Sequence, residues 1–177
     1  MCIRDRQITE PLEEQSLRDQ IPCITDIRNT ISQSVRAQYE ENPYPRWIKP
    51  SLAYKSRSIP DVLQGSPLQF DLGDYVSPES PEILVAGCGT GEHALSTASG
   101  FRNAKVLAVD LSLNSLAYAE RKTRELGFSN IEHVQGDLTE LEKLERRFDL
   151  IECLGVLHHL DDPLAGWQTL VLSLIHI

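Results

Sequence analysis

The sequence has no long apolar run, no disulfide-type cysteine pattern and no excess of basic residues. Its apolar stretches fall short of the roughly 18 residues that span a membrane, and its start has no signal-peptide pattern. The 4 cysteines show neither paired metal-ligand spacing nor a disulfide framework, so we predict no metal site. These absences predict a cytoplasmic protein that does not enter a membrane.

Acidic residues outnumber basic ones, with 26 Asp and Glu against 17 Lys and Arg and a net charge of −9. Binding to a nucleic-acid backbone needs clustered Lys and Arg, so we predict no nucleic-acid partner and favour a small-molecule partner. Hydrophobic residues make up 41% of the 177-residue chain and charged residues 24%, which is typical of a globular domain. No internal repeat is visible.

The two ends of the chain can be encoded by opposite strands of one oligonucleotide. They resemble the transposon-end adapter used to prepare DNA sequencing libraries. We therefore interpret residues 1–6 and 172–177 as a cloning or sequencing scar and exclude them from the fold prediction. The remaining residues, 7–171, are expected to be an internal fragment of a longer protein.

Residues 7–80 predict an N-terminal helical extension and a connecting segment. We expect a short helix over 11–18, a helix from an N-cap at Asp26 to about residue 41, and a short helix near 60–64. The proline-rich stretch between the last two carries Tyr44 and Trp47. These two aromatic residues either pin the extension to the domain or cover the functional site.

From residue 81 the pattern changes to alternating strands and helices. Apolar runs predict strands over 83–86, 105–110, 130–135 and 148–154, with helices over 92–98, 112–126 and from Pro163 onward. Alternation of this kind indicates right-handed crossovers. We therefore predict an α/β fold, a doubly wound and mostly parallel sheet with helices on both faces, over residues 81–171.

Ligands bind such sheets beyond the carboxyl ends of the strands, and each predicted strand end carries suitable residues. Gly87, Gly89 and Gly91 follow the first strand and let a ligand lie against bare main chain. Asp110 ends the second strand, where a carboxylate can accept hydrogen bonds from ribose hydroxyls. After the third strand, Asp137 can accept a hydrogen bond from the exocyclic amine of adenine, and Leu138 can pack against the base.

Two adenosine cofactors compete for this layout. A dinucleotide fingerprint needs a third glycine where Glu92 stands, and a carboxylate at that helix start would repel a pyrophosphate. S-adenosylmethionine carries positive sulfonium and ammonium groups instead, so an acidic residue is compatible with it. The pattern favours S-adenosylmethionine.

Residues 82–167 resemble a class I, Rossmann-like S-adenosylmethionine-dependent methyltransferase. Residues 85–91 (VAGCGTG) match the first family motif, 109–110 the second, 135–137 the third and 148–163 the fourth. Residues 38–47 (QYEENPYPRW) also resemble bacterial methyltransferases that are associated with tetratricopeptide repeats. The resemblance implies a seven-stranded sheet whose last three strands lie beyond residue 171.

The resemblance also implies roles for individual residues. The glycine turn would line the methionine and ribose of the cofactor, and Asp110 would hold the ribose. Asp137 and Leu138 would contact the adenine. Glu152 or Cys153 would contact the methionyl end. Cys88 and Leu111 complete the predicted cofactor set. The alternatives are that Asp110 caps the next helix, that Asp137 is a turn carboxylate and that both cysteines only pack.

The predicted function is methyl transfer from S-adenosylmethionine to a small-molecule acceptor, with His158 as the catalytic base where the acceptor is protonated. For His158 and His159 two interpretations stay open: they act as base or orient the substrate, or they shape the turn before the last helix. His93 and His133 are predicted to be exposed or structural. The alternatives are a non-catalytic S-adenosylmethionine-binding module and an NAD-dependent oxidoreductase. As a truncated domain, the 177-residue chain itself is expected to fold weakly and to be inactive.

Overall fold

The computed structural model describes residues 4–67 and 71–175, so the predicted connecting segment lies partly outside the described residues. Four strands form one parallel sheet in the order β3-β2-β1-β4. They are β1 (Glu82–Ala86), β2 (Lys105–Asp110), β3 (Ile131–Gln135) and β4 (Leu150–Cys153). This arrangement confirms the predicted parallel sheet.

Helices lie on both faces of the sheet, and a helical extension precedes it. The α-helices are α1 (Glu10–Arg18), α2 (Thr30–Glu41), α3 (Ile59–Gln64), α4 (Glu92–Gly100), α5 (Leu113–Glu125) and α6 (Pro163–Leu172). Two 3-10 helices follow the third and fourth strands, at Leu138–Leu144 and Leu157–His159. None of the helices in the described part of the chain is long and apolar enough to cross a membrane.

Two apolar clusters form the core because successive side chains of a strand point to opposite faces. On one face, Ile83 and Val85 pack with residues of α4 and α5. On the other face, Leu84 packs with Leu141 of the first 3-10 helix and Leu170 of α6. Burial of a Leu or Ile side chain contributes about 1.5–3 kcal/mol each, so these clusters hold the strand ends in fixed positions.

The N-terminal extension covers the outer edge of β3. Ile24 donates its N–H to the carbonyl of Gln135 (2.9 Å), and Gln135 donates to the carbonyl of Pro22 (2.8 Å). Further along, the buried Arg121 of α5 lies 3.0 Å from both Glu10 and Glu14 of α1. The extension therefore shields a sheet edge that would otherwise be open to solvent.

The start of the second helix was predicted wrongly. Asn29, not Asp26, is its N-cap, because the Asn29 side chain accepts the N–H groups of Ile31 and Ser32. The Asp26 carboxylate instead pairs with Arg28 at 2.6 Å. Two residues that fit the N-cap preference lie three positions apart, and the sequence pattern favoured the wrong one.

Other boundaries shift by smaller amounts. Helix α1 begins at Glu10 and follows a π-helical turn at Asp5–Thr9. Strand β4 is shorter than the predicted 148–154, because the N–H and the carbonyl of Phe148 instead bond residues that follow α6. Residues 5–6 and 172 thus lie in helices, while the origin of the two ends as scar stays a prediction.

Candidate functional site

A cavity of about 670 Å³ opens at the carboxyl ends of the four strands. This volume is in the range of pockets that hold cofactors and small molecules. Its floor is built by the residues that follow β1, β2 and β3, and one wall by the loop after β4. The functional residues predicted at the strand ends thus face one common space, with the exceptions given below.

The glycine turn after β1 forms the centre of the floor. Gly87 has a φ of 72°, and a Cβ there would lie 2.2 Å from a methyl group of Val156, so the loop after β4 packs directly on it. Gly89 has a φ of 53°, but a Cβ there would meet nothing closer than the Tyr44 carbonyl at 3.9 Å. Gly89 therefore presents bare backbone to the cavity.

Cys88 lies between these glycines and lines the cavity. Its N–H donates to the Val109 carbonyl (3.0 Å), which ties the turn to β2. Burial raises the pKa of the Cys88 thiol well above its usual value, so the thiol is neutral and a poor nucleophile. This environment suits a small packing residue in the cavity wall.

Asp110 connects the glycine turn to the end of β2. Its Oδ2 accepts the N–H of Gly89 (2.8 Å) and its Oδ1 accepts the N–H of Ser112 (2.9 Å). Burial raises the pKa of the Asp110 carboxyl. The N-cap of α5 is Ser112, whose hydroxyl accepts the Ser115 N–H, so Asp110 is not the helix cap. Asp110 and the adjacent Leu111 both line the cavity.

Asp137 lies beyond β3 and is 1% exposed. Its Oδ1 accepts the Thr139 N–H (3.0 Å) and the Thr139 hydroxyl (2.7 Å), as a turn carboxylate does. Its Oδ2 is buried and has no hydrogen-bond partner within residues 4–67 and 71–175. Buried polar atoms are nearly always paired, so this oxygen indicates a missing donor. Leu138 lines the cavity beside it.

Four predicted site residues are not among those that line the cavity: Gly91, Glu152, Cys153 and His158. A Cβ on Gly91 would lie 2.6 Å from Ala119, so this glycine lets α5 pack closely. Glu152 Oε2 accepts the hydroxyl of Thr97 on α4. Burial raises the pKa of the half-buried Cys153 thiol. The ring of His158 packs on the ring of His159, with their centroids 4.0 Å apart. Roles for these four residues stay predictions.

Two histidines other than the predicted base His158 line the cavity. His159 does so beside Tyr39 of α2, with ring centroids 6.4 Å apart. His93, expected to be exposed or structural, lies in the first turn of α4 with its Nε2 3.1 Å from Glu152. The proximity of Glu152 raises the pKa of His93. Only the place of His93 just after the glycine turn could have indicated this.

The outer wall of the cavity comes from the N-terminal extension. It includes Val35 and Tyr39, which lie one helical turn apart on α2, together with Tyr44. The Glu40 carboxylate accepts the N–H groups of Leu113 (2.7 Å) and Asn114 (3.3 Å) at the start of α5. This charged cap holds the end of α2 against the start of α5, the helix that follows Asp110.

Trp47 and Tyr44 were expected either to pin the extension to the domain or to cover the site, and each of these interpretations fits one of the two residues. Trp47 is 8% exposed, and its Nε1 donates to the carbonyl of Thr90 in the glycine turn (3.0 Å). The hydroxyl of Tyr118 donates to the carbonyl of Trp47, and the two rings meet edge to face. Trp47 thus pins the extension to the domain, whereas Tyr44 is exposed and lines the cavity.

No group of three or more His, Cys, Asp or Glu residues in the described ranges is arranged to hold a metal ion. The acidic residues of the cavity are Glu92, Asp110 and Asp137. They lie on three separate segments, at the start of α4, at the end of β2 and after β3. The cavity thus offers a ligand exposed backbone and single, separated carboxylates.

Comparisons with known proteins indicate a methyltransferase. Residues 83–171, half of the 177-residue chain, match the family model described as a methyltransferase domain. An uncharacterized protein of Synechococcus sp. is 32% identical over 161 residues, which cover 82% of this chain and 35% of that protein. The ubiquinone biosynthesis O-methyltransferase of Pseudomonas putida is 34% identical over 100 residues, covering 55% and 42% of the two chains.

Among solved structures, the fold is similar to that of magnesium protoporphyrin IX methyltransferase from Synechocystis PCC 6803, solved with bound S-adenosylmethionine. That match has a TM-score of 0.56 at 21% identity and covers 85% of this chain and 75% of the other. The chain spans less than half the length of the two relatives named above, at 35% and 42%. The family match over half of the chain, on a parallel sheet with a glycine turn at its edge, shows that this chain belongs to the class I S-adenosylmethionine-dependent methyltransferases.

Proposed function

We propose that this chain forms the cofactor-binding part of an enzyme that transfers the methyl group of S-adenosylmethionine to a small-molecule acceptor. The observation that carries the proposal is the unpartnered, buried Oδ2 of Asp137. An amino group on a flat heterocycle would supply the donor that this oxygen lacks, and Leu138 offers an apolar surface beside it. Adenine has both properties.

The predicted residues of the glycine turn and of the end of β2 that line the cavity fit another part of the cofactor. Gly89 gives the ligand bare backbone, and Asp110 lies between that turn and Leu111. When bound, the cofactor supplies a methyl group that its sulfonium already activates. The chain then has to hold the reacting atoms in line and exclude water, and such alignment contributes about 7–11 kcal/mol in well-oriented cases.

The position of Glu92 supports S-adenosylmethionine over NAD. Glu92 is the first residue of α4 and lines the cavity. A pyrophosphate is normally held at such a helix start by unpaired N–H groups. A carboxylate in this position repels a diphosphate but is compatible with the positive sulfonium and ammonium groups of S-adenosylmethionine. An NAD-dependent oxidoreductase is therefore disfavoured.

A small-molecule acceptor is supported by the size of the cavity, about 670 Å³, and by the acidic chain, which has a net charge of −9. One relative, the Pseudomonas putida protein, carries the name of an O-methyltransferase of ubiquinone biosynthesis. Fold and cofactor site alone do not establish turnover, so a non-catalytic binding module remains the alternative. Transfer of labelled methyl groups into a cell extract by the full-length protein distinguishes the two.

Calorimetric titration tests the cofactor, with S-adenosylmethionine as ligand and NAD as control. The matched variant is Asp137→Asn, which keeps Oδ1 for Thr139 but replaces the unpartnered oxygen with a donor. We expect micromolar binding by the parent and about 10–100-fold weaker binding by the variant, as for a lost hydrogen bond to a charged group. A folded full-length protein that binds NAD, or binds neither ligand, would contradict the proposal.

Weak folding and inactivity of the 177-residue chain by itself stay predictions. Calorimetric melting of this chain tests the first of them. A cooperative transition above about 50 °C, where intact mesophilic domains unfold, would contradict it.

A further inference from the structure

The β4 side of the cavity holds a polar cluster that the proposed cofactor site does not use. It consists of His93 and Thr97 on α4 and Glu152 on β4. The Nε2 of His93 lies 3.1 Å from Oε2 of Glu152, an ion-pair distance. Thr97, which is 4% exposed, donates its hydroxyl to the same oxygen. The cluster thus couples a cavity-lining imidazole to a fixed carboxylate.

This arrangement directs one nitrogen of the imidazole toward the carboxylate. The Nε2 of His93 is buried and lies within ion-pair distance of Glu152, although the contact does not have hydrogen-bond geometry, and Thr97 holds Glu152. His93 is also part of the cavity wall, so Nδ1, the nitrogen away from Glu152, is the one left for a ligand. A carboxylate that orients one ring nitrogen so that the other can exchange a proton is a general arrangement for a histidine base.

The cluster lies at the opposite end of the sheet edge from Asp137. Strand order places β3 and β4 at the two sides, three strand spacings or about 14 Å apart. If adenine binds at Asp137, the reactive end of the cofactor is directed toward β4. An acceptor must then enter on the side where His93 lines the wall.

Resting on the proposed function, we propose that His93 is the catalytic base and that the acceptor is a phenolic hydroxyl. The acceptor oxygen forms a bond to the methyl carbon, and the carbon–sulfur bond breaks with its electron pair going to sulfur. The hydroxyl proton passes to Nδ1 of His93. Glu152 and Thr97 are positioning residues that act through His93.

The acceptor class follows from proton affinities. A histidine base titrates near pH 6.5 and a phenol near pH 10, whereas an aliphatic alcohol holds its proton far more strongly. Proton transfer is most efficient between groups whose pKa values lie close together. The exposed side chains of Tyr44 and Leu154 at the cavity wall give a flat ring an aromatic and an apolar contact.

Several charged and titratable groups face His93. Glu152 faces it from β4 and Glu92 from its own helix, and both are acids. Tyr44 of the extension and His159 after β4 share the same cavity wall. The neighbouring Glu152 carboxylate raises the pKa of His93, so the neutral, basic form increases as pH rises through that value. Turnover should therefore rise with pH.

The test uses the full-length protein, methyl-labelled S-adenosylmethionine and three probes, namely catechol, benzylamine and thiophenol. We expect label in catechol, and a loss of about 10²–10⁴-fold in kcat for His93→Ala with unchanged cofactor affinity. In Glu152→Gln the pH midpoint of kcat should move to lower pH, which a purely structural role for Glu152 would not cause. His158→Ala is measured beside them.

The outcomes separate the two proposals. Absent cofactor binding by the folded parent contradicts the proposed function itself. With cofactor bound, label in benzylamine or thiophenol instead of catechol, or in none of the three probes, overturns the phenolic acceptor. Full turnover by His93→Ala, or loss of the pH dependence in His158→Ala instead, overturns the assignment of the base.

Discussion

The two sides of the cavity differ in how firmly they are held. On the β3 side, the extension crosses the sheet edge and Thr25 accepts the N–H of Asp137 (2.7 Å), while Trp47 is bonded to the glycine turn. On the β4 side all four strand residues are only half-buried, and Leu154 is 65% exposed. In the part of the chain that the structure describes, the outer edge of β4 has no strand partner.

This difference corresponds to two kinds of ligand. A cofactor that is common to a whole family can be bound by a rigid, preformed surface. An acceptor varies between family members, and its contacts are drawn from loops that a scaffold positions. We infer that the fastened β3 side serves the cofactor and that the open β4 side serves the acceptor.

The two tryptophans give the largest expected contrast. Trp47 is 8% exposed and Trp167 of α6 is 57% exposed. Trp47→Ala should lower the free energy of unfolding by about 3–5 kcal/mol, as for other buried aromatic residues. Trp167→Ala should cost less than about 1 kcal/mol. Denaturant titration of the full-length protein gives both values, and Trp47→Phe serves if the alanine variant does not fold.

Equal losses of unfolding free energy for both tryptophans would contradict the comparison, because the β4 side would then be packed as well as the β3 side. A small loss for Trp47→Ala alone would mean that the extension is not held by this residue. Trp47→Phe keeps an aromatic ring in place of the indole but removes the hydrogen bond to Thr90. It should fall between the parent and Trp47→Ala.

A pair of glycines separates backbone strain from ligand contact. Gly89 and Gly127 have φ values of 53° and 75°, and neither has a close neighbour for an added Cβ. Alanine at either should cost about 1–2 kcal/mol of stability through its left-handed conformation. Only Gly89→Ala puts a methyl group into the cavity, so it should also weaken S-adenosylmethionine binding at least about tenfold.

Calorimetry at a temperature where both glycine variants are folded checks this prediction. Equal affinity of Gly89→Ala and Gly127→Ala would mean that the cofactor does not lie against the glycine turn. Because both variants carry a similar backbone cost, that result could not be attributed to general destabilisation.

Two threonines test the two sides with the same substitution. Thr25→Val leaves the buried N–H of Asp137 without an acceptor, which should cost about 1–3 kcal/mol and weaken cofactor binding. Thr97→Val removes a donor to Glu152 and should change the pH dependence of turnover more than cofactor affinity. If both variants changed cofactor affinity equally, the division into a cofactor side and an acceptor side would be wrong.

The sequence predicted the strands and the glycine turn because buried parallel strands are continuous apolar runs, and these signals are local. It placed Asp110 at the end of its strand for the same reason. It could not place His93 or Glu152, because their pairing joins residues 59 positions apart across the sheet, and their role depends on which way each side chain points. The choice of Asn29 over Asp26 as helix cap also depended on geometry.

The smallest predicted effect concerns Glu120 and His133 on the β3 side. The Nδ1 of His133 lies 2.9 Å from Oε2 of Glu120, and this contact lowers the pKa of Glu120. A carboxyl whose pKa is lower in the folded state adds stability above its unfolded pKa of about 4.3 and loses it as pH falls through the folded value. Glu120→Gln should therefore cost about 1 kcal/mol at pH 7, and the difference from the parent should shrink at acid pH.

The matched variant Arg124→Gln removes the exposed partner of the same carboxylate and should change stability less. A difference between Glu120→Gln and the parent that stays constant down to pH 3, measured by denaturant titration, would show that the contact with His133 does not stabilise the charged form of Glu120.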